Sequence, residues 1–461
     1  MGGLPPPDAT ITPDMFIAIG PKEALFLIFL GILGGMLSGF IGSGGAFVLT
    51  PGMMSIGAPG PIAVASNMCH KFPKAMVGAW RRAKIGHLDV KLAVLMAFSA
   101  IAGVQVGIKV QEMILEALGT AGTNLYVSLA FLIVLPAVAA LCIKDVIKAK
   151  KGGLEDTEPK LAMKLEKKFR IPPIIHFKVA GRKQSLWLTI PTGFATGFLA
   201  ATIAVGGFIG VPSMIYIIGA PSAVASGTEL GVAFVMGLTG TFTWAYKLGA
   251  VDFRMTALIL AGSLFGVQIG AVGTTYVKQY MIKLAMAVVM LIVTVSRALA
   301  IPKYLHQLGW ISLDESMIPL VDQLVFWTML MAMVACAIIV LTPMIKVRKE
   351  LARRGMLEDA LVSSSVDRKK LLPKAVFWGA ISMTCYALLF KYADAWTAFA
   401  TSKTIVSALG VVVTAIVFSV VHGNFAHAVL DMLNIGALKK GTLEKLEAME
   451  RVPAAGGVTS A

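Results

Sequence analysis

The sequence of 461 residues is 57% hydrophobic and 14% charged, with a mean hydropathy of +0.80, where an average soluble domain carries about a quarter charged residues. A water-soluble globule is excluded, because the apolar runs at 25–41, 92–110, 125–143, 257–272, 284–299, 324–341 and 405–421 approach the roughly 20 residues that cross about 30 Å of hydrocarbon as a helix. The formal net charge of +16 does not indicate nucleic acid, because the Lys and Arg residues gather between apolar runs without interleaved aromatic rings for base stacking.

In chain order, residues 1–21 form a Pro-rich tail with Asp8 and Asp14 and no Lys or Arg. That is unlike the basic start of a cleavable signal, so the first helix is expected to insert uncleaved. Residues 22–143 form a first transmembrane unit. Its opening helix runs into Gly35-Met-Leu-Ser-Gly39-Phe-Ile-Gly42-Ser43-Gly44-Gly45, with Pro51 shortly after, and a later stretch carries Asn67, His70, Lys71 and Lys74 among apolar residues. Residues 144–185 hold twelve Lys/Arg against five Asp/Glu, which marks a cytoplasmic loop by the positive-inside rule.

Residues 186–300 repeat the first unit. Gly197-Phe-Leu-Ala-Ala-Thr-Ile-Ala204-Val205-Gly206-Gly207 returns 162 residues after its counterpart, followed by Pro212. Ile56-Gly57-Ala58-Pro59 returns as Ile218-Gly219-Ala220-Pro221, and Ala63-Val64-Ala65-Ser66 as Ala223-Val224-Ala225-Ser226. Lys84-x-Gly86-x-x-Asp89 matches Lys247-x-Gly249-x-x-Asp252, and Gly103-Val-Gln105-Val-Gly107 matches Gly266-Val-Gln268-Ile-Gly270. Matches in one unbroken order are the mark of a duplication. Residues 301–434 add further passes near 321–343, 375–391 and 402–421, with a basic loop at 344–374, and 435–461 form a tail with Lys439 and Lys440.

The loop after the first copy is basic, whereas 301–323 holds Lys303 against Asp314, Glu315 and Asp322. One copy then ends inside and the other outside, so each crosses an odd number of times, five if the pieces beside the Gly-Gly break are counted separately. The expectation is an all-α polytopic membrane protein of two inverted repeats plus three C-terminal helices, with the C-terminus cytoplasmic in the cell (inner) membrane, and such repeats place substrate at the midplane between copies.

The Gly-Gly motifs have a physical reading in lipid. Glycine and proline interrupt backbone hydrogen bonding, which is tolerated at depth only against protein or a water-filled cavity. A half-helix starting after the break aims free N–H groups and its positive dipole end into that cavity. An anion is the natural occupant. Helix packing of the small-xxx-small kind explains Gly35, Gly39, Gly193 and Gly197 equally well.

Ionisable residues at membrane depth usually face a cavity, which makes His70 and Glu229 candidate carriers of a coupling proton. Lys71 and Lys74 read equally as snorkelling towards Arg81, Arg82 and Lys84. Gln105 and Gln268 hold the same place in both copies, where a helix-to-helix bond explains them as well as a substrate contact. Cys69, Cys142, Cys336 and Cys385 show no CxxC spacing, so neither a disulfide framework nor a zinc site is indicated, and no metal or cofactor is expected. No His-Glu-x-x-His or Gly-x-Ser-x-Gly element points to an enzyme.

These residues resemble the sulfite exporter TauE/SafE family. Its GxxSGxxGxGGG motif is matched by Gly35, Ser38, Gly39, Gly42, Gly44 and Gly45, with Ala46 in the last slot. In the second copy Gly197, Gly206 and Gly207 match, while Ala200, Ala201, Ala204 and Phe208 depart from it. The family's Ala-x-Gly-Thr-Ser stretch is similar to Ala225-Ser226-Gly227-Thr228-Glu229, with Glu in place of Ser, and more loosely to Ala65-Ser66-Asn67-Met68. The resemblance covers about residues 22–300. It implies a secondary transporter of a small inorganic or organic sulfur anion, such as sulfite or an organosulfonate, with Gly42, Ser43, Gly44, Gly45, Asn67, Gly206, Gly207, Gly227 and Thr228 as candidate anion-binding residues. The partners expected are that anion and the lipid bilayer, with homo-oligomerisation open. The alternatives are a channel-like anion pore and a membrane scaffold without transport.

Overall fold

A computed structural model describes residues 11–41, 45–84, 86–150, 160–277, 279–361, 368–433, 435, 437–439 and 441–451. The chain forms α1 (Pro21–Ile41), α2 (Ala46–Ser55), α3 (Gly60–Lys84), α4 (Val90–Lys150), α5 (Lys160–Lys168), a hairpin of β1 (Ile174–Phe177) and β2 (Arg182–Ser185), α6 (Leu186–Ile203), α7 (Gly207–Ser213) and α8 (Ser222–Thr243). It continues through α9 (Phe253–Gly273), α10 (Gln279–Gln307), α11 (Ile318–Arg353), α12 (Leu357–Ala360), α13 (Arg368–Lys391), α14 (Ala393–Ala400), α15 (Ile405–Met432) and α16 (Thr442–Arg451). Among the described residues, nine helices are long and apolar enough to cross a membrane. The protein is therefore a helical, multi-pass membrane protein.

The apolar runs read from the sequence fall within these helices, with one difference. The runs at 92–110 and 125–143 lie in a single 61-residue stretch, α4, interrupted at Gly119, whose φ of 63° and ψ of −162° break the helical path. An unbroken helix of that length would extend about 90 Å, three hydrocarbon thicknesses. The basic loop 144–185 is also more ordered than its charge suggests, since it contains α5 and the β1–β2 hairpin, where Ile174 pairs with Ser185 and Phe177 with Arg182.

The Lys-x-Gly-x-x-Asp motif is a helix-to-helix turn. Gly86 (φ 73°) and Gly249 (φ 61°) take the left-handed conformation after α3 and after the wide turn that extends α8, where a side chain would be strained. Three residues later an aspartate caps the next helix. Asp89 Oδ1 accepts from the Leu92 N–H at 3.1 Å, and Asp252 Oδ1 from the Arg254 N–H at 2.9 Å; each such cap is worth about 1 kcal/mol.

Packing is dominated by glycines that bring backbones together. In α1, a Cβ on Gly31, Gly35 or Gly39 would strike the backbone of Ile259, Ser263 or Val267 of α9, and in return Gly262, Gly266 and Gly270 leave room for the carbonyls of Ile28, Ile32 and Met36. The partners advance together along both helices, so α1 and α9 run parallel. Gly193 and Gly197 of α6 meet Met96 and Ala100 of α4, while Gly103 meets Phe194, which makes that pair parallel too. The outer glycines therefore serve packing, as does the Gly-Val-Gln-x-Gly motif.

By contrast α3 and α8 run antiparallel, because Met68 lies at Gly240, Phe72 at Gly237 and Leu230 at Gly78. Helix α2 folds back along α1, with Gly45 against Gly34 and Gly52 against Leu30. At ten residues it reaches about 15 Å, half the hydrocarbon thickness. Replacing Gly266 or Gly35 by valine should lower the melting temperature in detergent and the membrane yield, at a cost of at least the roughly 1–3 kcal/mol of an overpacked core; wild-type melting of both variants would show that these backbones do not touch.

Candidate functional site

Three ionisable residues of the apolar helices, His70, Lys71 and Glu229, lie on the packed pair α3 and α8, whereas the buried Arg297 and His422 lie on α10 and α15. Asn67, His70 and Lys71 are spaced to share one face of α3, and all three are buried, Lys71 with 7% of its surface exposed. Glu229 on α8 is 1% exposed. Lys71 interacts electrostatically with Glu229, and His70 with Lys71 and Lys74. Lys74 is half-buried.

Each residue has a specific setting. Asn67 donates through Nδ2 to the Ala46 carbonyl at 3.1 Å and to Thr50 Oγ1 at 2.8 Å, which binds the first turn of α2 to α3. His70 Nε2 shares a hydrogen bond of 2.6 Å with Ser263 Oγ of α9. Glu229 occupies the space beside Gly210 of α7, where a Cβ would meet its Oε2. In the first turns of α2 and α7, the buried rings of Phe47 and Phe208 meet edge to face with centroids 4.8 Å apart.

This region holds several of the buried polar atoms without a partner; others belong to Gln111, Gln184, Trp244 and Arg297. Asn67 Oδ1, His70 Nδ1, Lys71 Nζ and both carboxylate oxygens of Glu229 are buried without a hydrogen-bond partner. Such groups are expensive in a protein interior, and a native structure rarely keeps several together unless a ligand or proton completes them. Among the described residues, no group of three or more His, Cys, Asp or Glu is placed to hold a metal ion.

Of the sequence-derived candidates, Asn67 and His70 share a face of α3 with Lys71, which interacts with Glu229 of α8, while Gly45 and Gly206 lie beside the first turns of α2 and α7. Both glycines are also needed for packing, since a Cβ on Gly45 would strike Gly34 and one on Gly206 would press on Thr196, Ala200 and Met236. Gly207 opens α7 and is buried. Gly42, Ser43 and Gly44 lie outside the described residues. Gly227 and Thr228 sit elsewhere, against the α3–α4 turn: Gly227 packs on the His87 carbonyl, and the Thr228 hydroxyl accepts from the Asp89 N–H at 3.1 Å. A similar bond joins the other turn to α3, from the Asp252 N–H to Ser66 Oγ at 2.9 Å.

The profile of the family described as sulfite exporter TauE/SafE matches residues 27–297, more than half of the 461 residues. The chain belongs to the sulfite exporter TauE/SafE family. It is also 25% identical over 260 residues to the Bacillus subtilis (strain 168) protein named "Probable membrane transporter protein YjnA", an alignment covering 53% of this chain and 88% of that one. No solved structure matches the chain. This TauE/SafE protein is thus a membrane protein of a transporter family. The α3–α8 centre lies inside the family span, and α11 to α16 lie beyond it.

Sequence reasoning missed Ser263, Thr50 and Gly210 as neighbours of this centre. Single small residues in apolar helices carry no signal until a fold brings them together. Lys71 was visible but read equally as a snorkelling surface residue. Replacing Asn67 by leucine should release the first turn of α2 at a cost of about 1–3 kcal/mol, seen as a lower melting temperature and as faster amide exchange at residues 46–50; unchanged exchange there would mean that other contacts hold α2.

Proposed function

We propose that this protein is a secondary transporter of a small sulfur-containing anion, sulfite or an organosulfonate, by alternating access around the α3–α8 centre, with Glu229 carrying a coupled proton. The observation that carries the reading is the set of buried, unpartnered polar atoms of Asn67, His70, Lys71 and Glu229. In a protein surrounded by lipid, such atoms mark substrate and proton paths. A cation and an acid in one site suit an anion and a proton as joint cargo. The first turns of α2 and α7 lie beside the centre, and helix N-termini favour negative charge.

The directions of the helices support an inverted repeat. By sequence position α3 corresponds to α8, and the two run antiparallel, whereas α1 lies parallel to α9 and α6 to α4. A two-fold axis in the membrane plane relates helices in this way. Because α2 returns along α1, the pair is an even step, and α3 with the two halves of α4 makes the crossing number of the copy odd. With 144–185 inside, 301–323 lies outside and the C-terminus inside. Cysteines placed at Lys164 and Arg353 should label from the cytoplasmic side, and one at Trp310 from the opposite side; labelling of the Trp310 position from the cytoplasm would make the copies parallel.

Glu229 is the only acid on α8. An ionised carboxylate would repel the anion carried beside it, so the site binds anion best with Glu229 protonated. Glu229→Gln copies the neutral form and should still exchange anion across a vesicle membrane while losing its response to a pH gradient. For one proton per anion, a gradient of about one unit drives about tenfold accumulation, and the variant should show none; full accumulation by Glu229→Gln would place the proton elsewhere, with His70 the next carrier to test.

A further inference from the structure

We propose that Lys71 is the fixed countercharge for the transported anion, and that a site with one such cation facing one acid selects monovalent sulfur anions and moves each with one proton, without net charge. This rests on the transport reading above and adds to it the charge of the cargo.

Lys71 Nζ has no hydrogen-bond partner and neither carboxylate oxygen of Glu229 has one, yet the two groups interact electrostatically. At the start of α8 the α3–α4 turn brings Arg82 beside Gly227 and Asp89 beside Thr228, where Arg82 meets His87 at 3.4 Å and the Asp89 carboxylate accepts from the Leu92, Val179 and Ala180 N–H groups. Helices α2, α6 and α7 carry no ionisable side chain. On α9 the only charged residue is Arg254, at its start, which is paired with Asp252 at 2.9 Å. On α3, His70 is bonded to Ser263, Cys69 lies by Thr256, and Lys74 is half-buried one turn along. His422 of α15 lies beyond α9, on the Ala261 carbonyl at 3.0 Å.

Uncompensated charge is what a membrane interior resists most. In the empty site Lys71 and Glu229 cancel. A monoanion taken up by Lys71 leaves an excess of one negative charge, and a proton on Glu229 removes it. Anion and proton therefore load together, and they leave together on the other side when Glu229 gives up its proton and Lys71 is released to face it again. A dianion would keep the excess even with Glu229 protonated. Only Lys74 could offset it, and that side chain is not enclosed with the pair.

The test uses the full chain in proteoliposomes with the membrane potential set by a potassium gradient and valinomycin. The probes are methanesulfonate, a monoanion, and sulfate and sulfoacetate, both dianions at neutral pH. Methanesulfonate should enter with one proton per anion and accumulate equally at zero and at about −100 mV, whereas a carrier moving one net charge would shift its accumulation roughly 50-fold. The dianions should move at least about tenfold more slowly, as expected for one uncompensated charge in the membrane.

Lys71→Gln should abolish the preference for the monoanion, and Lys71→Arg, which keeps the charge, should retain it. Current carried by methanesulfonate, faster transport of the dianions, or wild-type selectivity in Lys71→Gln would each overturn the inference while leaving transport intact. Failure of wild-type protein to move any of the three, or sulfite, would overturn the transport reading and this inference with it. Should Lys71→Gln not reach the membrane, the charge measured for wild-type protein decides alone.

Discussion

Between helices in lipid there is no hydrophobic force, because the tails are as apolar as the side chains, so cohesion must come from close packing. Here that packing is backbone against backbone. Along α1 and α9 glycines alternate from both sides: Gly262, Gly266 and Gly270 admit the carbonyls of Ile28, Ile32 and Met36, and Gly31, Gly35 and Gly39 answer from the other helix. The pair α4–α6 repeats the device at Gly103, Gly107, Gly193 and Gly197. At such approach the Cα hydrogens themselves can contact carbonyl oxygens. Each pair joins a helix before residue 151 to one after residue 185, so the two halves of the family span are tied together by close backbone contacts.

The elements that bear the polar centre are α2, α3, α7 and α8, of which α3 and α8 pack on each other at Gly78, Gly237 and Gly240. The two short helices are held differently. Asn67 fixes the first turn of α2 with two donated bonds. At the matching position of α8 stands Gly227, packed on the His87 carbonyl, so α7 has no such clasp and borders Glu229 instead. Its far end is held by the hairpin: Arg182 Nε donates to the Gly219 carbonyl at 3.1 Å and Gln184 Nε2 to that of Ile218 at 3.3 Å. One short helix is thus tied to a neutral amide and the other abuts a titratable carboxyl. A change of protonation acts directly on only one of them.

Much of this could be read from the sequence, and the physical reason differs by feature. The long helices were legible because lipid demands long apolar runs. The turns show in the sequence only as the repeated Lys-x-Gly-x-x-Asp spacing, and the structure supplies the reason, since a left-handed residue followed by an N-cap asks for Gly and Asp, as at Gly86 with Asp89 and Gly249 with Asp252. The repeated glutamines show the limit. Gln105 donates to Thr243 Oγ1 of α8 at 3.0 Å, while Gln268 meets His427 of α15 at 3.0 Å, so equal places in the sequence acquired different partners once extra helices were present. Thr228 was chosen for a family-like motif and turned out to serve the α4 start, since a motif fixes residue order and not which way a helix face turns. Lys71 stayed ambiguous because a lysine near other basic residues looks the same whether its tip reaches water or turns to Glu229.

The helices beyond the family span bear on α9. Tyr386 of α13 donates to the Ala257 carbonyl at 2.9 Å, and His422 of α15 shares a bond with that of Ala261 at 3.0 Å while its other nitrogen meets Ser382 at 2.7 Å. With the His427 contact to Gln268, these partners follow one stripe of α9 from 257 to 268. Gly262, Gly266 and Gly270 face α1 on another side, and Ser263 reaches His70. Helix α9 is therefore gripped by α1 and the added helices, and among the described residues it also meets α3 through the Ser263–His70 bond, the Thr256 hydroxyl on the Ser66 carbonyl at 3.2 Å and the Asp252 N–H on Ser66 Oγ. Any movement of α3 relative to that clamped helix must either break these few hydrogen bonds or carry α9 and its attached helices along. The first is the smaller disturbance, because a typical hydrogen bond contributes only about 0.5–1.5 kcal/mol, whereas moving α9 would disrupt glycine packing along its length.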